Sequence, residues 1–460
     1  MWLWMDLGGL RIGSLLAGLF LIRYFGPANF GVYSSALAIG WVANAVTDLG
    51  VTRYAAREVA SRPAERPRVI GVSLLTTLLA LLMQGALVIL AFLTGHEILA
   101  CISGGLIYCN LEGTASFCSA VLTAELRSRD IVLSSITGVL GMVGMTILVV
   151  LLHLSVLVML LGLCVKSVIV LSMRLWKLRS TWPTWETLGS SQLLRVIRNA
   201  WPYFKYNLTQ IGYGRVAIVC FGLVASPEMV GWFAAAFTIS DVFPQWSYAC
   251  SNALLPLWTK LFESGRAHDL VELRQRLLDI VIFLSVPFWI GLAVFAPQVC
   301  RIFGPRFAFS APVLRIVASR SLLAVLDGFL GHGYLIAVNQ VQERQRAQSR
   351  SLVVLAVLSL LLGWLWGPVG VGVALFISDS TLILQYLRIC SRVGMKIEWP
   401  ALLPAGFAGA VMIAAVFATP NSLALPFEVV LVICAYFLSL FALSKDRFLS
   451  AGRTLRECVG

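Results

Sequence analysis

The chain is 460 residues long, 59% apolar and only 12% charged, with a formal net charge of +13. A soluble domain is nearer half apolar and a quarter charged, so this composition excludes an aqueous globular fold and makes lipid the solvent. The basic residues form no single patch or stripe, which excludes a nucleic-acid footprint; they recur in short clusters between apolar runs, the pattern of cytoplasmic loops.

A spanning helix needs about 20 mostly apolar residues, and the sequence supplies about fourteen such stretches. The first, 2–22, begins at Trp2 without a basic leader or small-residue cleavage site, so it reads as a retained helix rather than a signal peptide. Next come 34–55, 69–93, 98–123, 131–152 and 154–173, the last two meeting at His153. A basic stretch over 174–199 separates these from 200–224, 229–255, 278–297, 311–337, 351–366 and 368–390, the last two meeting at Trp366–Pro368. Two more stretches, 401–418 and 426–443, follow. The expected organisation is an N-terminal six-helix bundle over 1–173, a basic cytoplasmic linker over 174–199, a C-terminal six-helix bundle over 200–395, and two extra helices with a cytoplasmic tail over 396–460.

Loop charge tests this map. With the N-terminus in the cytoplasm, one set of alternate loops collects Arg53, Arg57, Arg127, Arg174, Lys177, Arg274, Arg276, Arg344, Arg346 and Arg392, among others. The opposite loops hold only Arg23, Arg301 and Arg306. Such asymmetry predicts that both termini are cytoplasmic. The ten cysteines form no C-x-x-C pair, the four histidines have no metal spacing, and no H-E-x-x-H, Walker or G-x-S-x-G motif stands in a fitting context. No metal or cofactor site and no ATPase or hydrolase chemistry is expected.

The chain also carries a short internal repeat. Pro27-Ala-Asn-Phe-Gly31-Val-Tyr33 and Pro227-Glu-Met-Val-Gly231-Trp-Phe233 place proline, glycine and an aromatic in one register, 200 residues apart, each before an alanine- and serine-containing helix. Two halves built from one ancestral unit explain it, an arrangement typical of secondary transporters with the substrate site between the repeats.

The segment Arg23-Tyr-Phe-Gly-Pro27-Ala-Asn-Phe-Gly31-Val-Tyr33, followed by Thr47-Asp48-Leu-Gly50, resembles the opening of polysaccharide exporters. These are the O-antigen (Wzx-type) and related lipid-linked oligosaccharide flippases of the multidrug/oligosaccharidyl-lipid/polysaccharide (MOP) exporter superfamily. Trp201-Pro202-Tyr203-Phe204, Val230-Gly231-Trp232-Phe233 and Phe303-Gly304-Pro305 with Phe307 resemble the family's later motifs. The resemblance covers roughly residues 1–395. It implies an all-α polytopic protein of the bacterial inner membrane, with two pseudo-symmetric six-helix bundles (MATE-like) working by alternating access. The implied substrate is an oligosaccharide on undecaprenyl pyrophosphate, drawn from membrane lipid and delivered to polysaccharide polymerase and chain-length proteins. Two features depart from the commonest pattern: a short N-terminus, and an extra helix pair that resembles the arrangement in lipid II flippases. The competing readings are a multidrug or organic-cation antiporter of the same superfamily, which would prefer an acidic cavity, and a membrane glycosyltransferase or ligase, which would need a larger extramembrane loop.

Ionisable groups at mid-bilayer depth cost at least about 2.5–3.5 kcal/mol each, so they face a wet cavity or a partner. Arg11, Lys205, Arg215 and Arg320 are the candidate cavity cations for the pyrophosphate, because arginine stays charged and donates parallel hydrogen bonds to phosphate oxygens. Asp241, Gln245, Tyr248 and Asn252 fall at steps of four, three and four, one polar stripe on a helix. With Glu112, Asp327 and Asp379 they are the candidate contacts for sugar or a coupling ion. Internal ion pairing that fixes helix packing is the competing account; for Arg320, Asp327 seven residues on is the expected partner. Lys205, Lys166 and Arg315 lie nearer helix ends and would also snorkel, and Asp48 reads as structural.

Overall fold

A long apolar segment in lipid must close its backbone hydrogen bonds within itself, which makes it a helix. The computed structural model describes residues 10–61, 66–125, 127–179, 190–393, 399, 402–418 and 425–459, and contains helices and turns but no strand among them. The elements are α1 (Leu10–Thr47), α2 (Val51–Ser61), α3 (Arg66–Thr94), α4 (Glu97–Ala124), α5 (Ser128–Leu151), α6 (Val156–Lys177), α7 (Ser190–Gly222) and α8 (Pro227–Ser240). They continue with α9 (Val242–Glu263), α10 (Ala267–Val294), α11 (Ala296–Ile302), α12 (Ser310–Ser319), α13 (Ser321–Leu326), a π-helical turn (Asp327–Tyr334), α14 (Leu335–Ala337), α15 (Val341–Arg392), α16 (Leu402–Ala418) and α17 (Leu425–Val459).

Eight of these, among the described residues, contain a stretch long and apolar enough to cross a membrane: α1, α3, α4, α5, α6, α10, α15 and α17. Their outer faces are those of a lipid-solvated protein. On α3, Leu82 is 64% exposed, Met83 75% and Phe92 86%, a density of bare apolar side chains that water would not tolerate.

The chain packs into two compact units, Met1–Ala234 and Ala235–Gly460. The division falls inside α8, beyond the basic linker, because α7 packs on α1, α2 and α3. In the first unit the expected helix over 34–55 stops at Thr47 and turns through Leu49 and Gly50. The residues after the turn form the separate α2, whose Val51, Tyr54, Ala55 and Val59 bury against Phe117, Val121 and Ala200. The stretch expected as a loop before residue 34 is helical, with a break in α1 at Gly26.

In the second unit the stretches expected at 351–366 and 368–390 are the two arms of α15. Gly367 takes φ 61°, a left-handed conformation open to glycine, and the arms fold back on each other. Ser378 Oγ donates to the Ser351 carbonyl at 2.8 Å across them. The expected single helix over 311–337 is broken at Arg320 and again by the π-helical turn. The last two helices dock on α10. Ala405, Ala408, Met412, Val432, Tyr436 and Leu440 share a buried cluster with Ile282, Phe283, Val286 and Ile290, and Tyr436 Oη donates to the Phe283 carbonyl at 3.1 Å.

Candidate functional site

The two copies of the sequence repeat meet. A Cβ on Gly31 would strike the Pro227 carbonyl and the Gly231 nitrogen; one on Gly231 would strike the Pro27 carbonyl and the Gly31 nitrogen. The contact is reciprocal, as a local two-fold relation between the repeat segments requires, and only a residue without a side chain lets the backbones approach this closely. Both segments lie in the first unit.

The polar interior of the first unit is mostly neutral. Asp48 accepts from Thr52 Oγ1 at 2.5 Å and from Asn207 Nδ2 at 2.8 Å. Beside it, Asn44, Ser73, Thr77, Asn110 and Thr114 line a cavity of about 10 Å³, room for one water. Thr77 and Thr114 share a hydrogen bond of 2.7 Å, and Asn110 Nδ2 donates to the Thr77 carbonyl at 3.2 Å. Glu112 is neutralised: Lys166 Nζ lies 2.8 Å away and Ser167 Oγ donates at 2.6 Å. Lys166 thus turns inward, over the Tyr108 ring, rather than snorkelling from its helix end. Arg215 follows a break in α7 at Tyr213–Gly214. Its side chain is exposed and makes no ion pair or hydrogen bond among the described residues. Lys205, on the same helix, is also exposed. Arg11 lies on α1 and Asn252 on α9, and their side chains lie outside the described residues.

The second unit holds its charges differently. Arg320 is 5% exposed. Its Nε meets Asp379 Oδ2 at 2.6 Å, its Nη1 lies 3.9 Å from Asp241 Oδ1, and its guanidinium sits over the Phe237 ring. The expected partner, Asp327, is elsewhere: it accepts from Tyr248 Oη at 2.7 Å and Tyr386 Oη at 3.0 Å. The breaks at Arg320 and Asp327 explain the correction, since a seven-residue spacing gives one face only on an unbroken helix. The stripe on α9 divides accordingly. Gln245 Nε2 donates to Asp241 at 2.8 Å, beside Arg320, while Tyr248 turns to Asp327.

Three cations assigned to loops from the sequence are buried. Arg174, in the last turn of α6, donates to the Ala115 carbonyl at 2.7 Å and to Ser134 Oγ at 2.9 Å. Arg274 lies against the Tyr334 ring and bonds its hydroxyl at 3.2 Å. Arg344 bonds the His332 ring at 2.9 Å. Hydropathy places all three near segment ends, and a long stem lets the guanidinium turn inward from there. The Arg274–Tyr334 and Arg344–His332 pairs, together with the tyrosines on Asp327, make the second unit's polar core; π-helical insertions such as the one carrying Asp327, His332 and Tyr334 recur at functional sites.

Residues 12–262 match the sequence profile of the polysaccharide biosynthesis protein family. No curated protein sequence matches the chain. Among solved structures, the lipid II flippase MurJ in an inward closed conformation is similar with a TM-score of 0.76 at 14% identity, covering 96% of this chain and 99% of that one. An inward-facing multidrug resistance MATE family transporter of the MOP superfamily is similar with a TM-score of 0.64 at 15% identity, covering 84% and 94%. A MOP superfamily transporter from Pyrococcus furiosus, described as having a binding pocket of reverse polarity, gives 0.53 at 15% identity, covering 85% and 94%. These likenesses establish the fold: a multi-pass helical membrane protein built as MOP superfamily transporters are.

Proposed function

The chain belongs to the polysaccharide biosynthesis protein family, and from that premise we propose that it is a flippase. It carries an oligosaccharide on undecaprenyl pyrophosphate from the cytoplasmic to the periplasmic leaflet of a bacterial inner membrane, for O-antigen, capsule or exopolysaccharide synthesis. About fourteen crossings, cytoplasmic termini and alternating access of two repeat-related bundles belong to the same reading, as does delivery to polymerase and chain-length proteins.

The observation that carries this reading is the balance of intramembrane charge. Glu112 faces Lys166, Asp379 and Asp241 face Arg320, and Asp327 is held by two tyrosines. Arg215 stands exposed with no acceptor among the described residues. A cation at membrane depth costs about 2.5–3.5 kcal/mol on the insertion scale, so retaining one calls for an anion to hold. Arg215 beside a helix break, with Lys205 on the same helix, suits the pyrophosphate; Arg11 joins them from the sequence. Arg320 is already engaged by carboxylates and takes a positioning role. The carboxyl, amide and phenol groups of Asp241, Gln245, Tyr248, Asn252, Glu112, Asp327 and Asp379 remain contacts for sugar or a coupling ion.

The barrier to transport is desolvation of the polar head, which a hydrated cationic cavity lowers. Moving each negative charge outward is favoured by about 2.3 kcal/mol per 100 mV of membrane potential, so the potential alone biases export; a rate independent of potential in proteoliposomes would overturn that part. One observation favours the organic-cation antiporter instead: in the second unit Asp241 and Asp379 share the Arg320 guanidinium, so that cluster sets two carboxylates against one cation.

The deciding experiment expresses Arg215→Ala and Lys205→Ala, each checked for membrane level, in a strain lacking the native protein. Loss of surface polysaccharide with lipid-linked units trapped on the cytoplasmic face is expected. Normal polysaccharide from both removes these cations from the site, and a deletion that changes no surface glycan but sensitises the strain to organic cations selects the antiporter.

A further inference from the structure

At one end of the first unit, α1 near its break, the start of α4 and the turn before α6 surround a cavity of about 540 Å³. The volume lies within the range of small-molecule sites, about 300–1,000 Å³. Tyr24, Phe25, Asn29, Glu97, His153 and Ser155 are in its wall. None of the transport chemistry above uses them.

The wall is built from aromatic faces and unpaired polar groups. Tyr24 Oη donates to the Leu154 carbonyl at 3.1 Å, which fixes its ring. Phe25 lies 5.3 Å from that ring, centroid to centroid, and His153 6.1 Å. His153 is held at φ 52°, a conformation non-glycine residues seldom take. The side chains of Asn29, Glu97, His153 and Ser155 make no hydrogen bond or ion pair among the described residues. They offer donors and acceptors together: an amide, a carboxylate, an imidazole and a hydroxyl.

Among the described residues no lysine or arginine lines the cavity, so a phosphate would meet Glu97 without a counter-ion. A neutral sugar fits this chemistry. Its hydroxyls both donate and accept, and its C–H faces pack on aromatic rings. We propose that this cavity is a binding subsite for neutral sugar rings, roughly two or three by volume, separate from the cations that hold the pyrophosphate. The loop-charge asymmetry assigns this end to the periplasmic side, where the glycan would arrive after crossing. The proposal rests on the flippase reading and specifies which part of the substrate this wall meets.

The test uses the full chain in lipid nanodiscs and saturation-transfer NMR with a panel of neutral disaccharides and trisaccharides of hexose and N-acetylhexosamine units. Tetraphenylphosphonium serves as the organic-cation probe. At least one saccharide is expected to receive transfer, reduced fivefold or more in Asn29→Ala and in the Glu97→Gln, Ser155→Ala double variant, whose side chains stand at the surface. The proposal is overturned if no saccharide receives transfer, if the variants leave it unchanged, or if only tetraphenylphosphonium binds and Glu97→Gln abolishes that. Complementation of the deletion strain separates the two readings. A deletion without effect on surface glycan removes the flippase reading, whereas full complementation by Asn29→Ala, with unchanged saccharide transfer, removes the subsite alone.

Discussion

Two buried arginines, one in each unit, are held in opposite ways. In the first, Arg174 is 7% exposed, and its guanidinium donates to neutral oxygens: the Ala115 carbonyl and the Ser134 and Ser135 hydroxyls. In the second, Arg320 is 5% exposed and meets Asp379, itself 3% exposed. Burial of a cation is therefore not one structural statement but two. Neutral oxygens that already have other hydrogen bonds survive its removal; a buried carboxylate does not. The largest expected effect follows. Arg320→Ala takes from the buried Asp379 the cation 2.6 Å away, a change worth about 3–5 kcal/mol. A fall of that size in thermal stability is expected in a fixed detergent, with the Arg320→Ala, Asp379→Leu double variant recovering more than half. No recovery would mean that Arg320 acts through something other than this carboxylate.

Asp327 sharpens the contrast, because it is a buried carboxylate answered by neutral donors. Tyr248→Phe removes the 2.7 Å bond and leaves Tyr386 in place. A hydrogen bond to a charged group contributes about 1.5–3 kcal/mol, so the loss should fall below that of Arg320→Ala. Tyr386→Phe should resemble it, and the double variant should lose more than the sum, since each tyrosine partly covers for the other. Strict additivity in thermal unfolding would show that the two hydroxyls act independently.

The sequence reading located the polar helices but not their pairings, and particular residues show why. Glu112 and Lys166 were both legible as intramembrane charges; their meeting across α4 and α6 is a tertiary fact 54 residues apart in sequence. Asp379 lies 59 residues from Arg320, while the nearer Asp327 would be its partner only on an unbroken helix. The meeting of two helices at Trp366–Pro368 was legible, since proline cannot continue the ladder, and it is the fold-back at Gly367. The repeat at Pro27–Gly31 and Pro227–Gly231 was legible as a pattern. That its two copies press together was not, because a shared motif carries no distance. Membership in the family and the fold were thus in reach from the sequence, whereas the direction of each long side chain was not.

A smaller effect belongs to the neutral cluster in the first unit. Thr77→Val removes the 2.7 Å bond to Thr114 and the bond to the Ser73 carbonyl, both buried. The expected loss is about 1 kcal/mol. Thr114→Val should cost as much, and the double variant less than the sum, because the first substitution has already removed the bond the two share and leaves the other hydroxyl only its own helix carbonyl. A double variant that loses the full sum would mean the two hydroxyls never shared a bond.

The smallest effect should be at Arg174, and it is the most direct comparison with Arg320. Arg174→Met keeps an unbranched apolar stem against α4 and α5 while removing the charge. Two of the three groups left behind have other partners, and the third, Ser135, is half-buried. Ser134 Oγ donates to the Ile131 carbonyl at 2.8 Å, and the Ala115 carbonyl lies inside α4. Removing a buried cation also relieves its desolvation penalty, which offsets much of the lost hydrogen bonding. The net change should be within about 1 kcal/mol of zero, read as thermal unfolding in the same detergent as Arg320→Ala. A loss equal to that of Arg320→Ala would mean that the neutral oxygens need this guanidinium as much as Asp379 needs its own, and the distinction between the two arginines would collapse to packing alone.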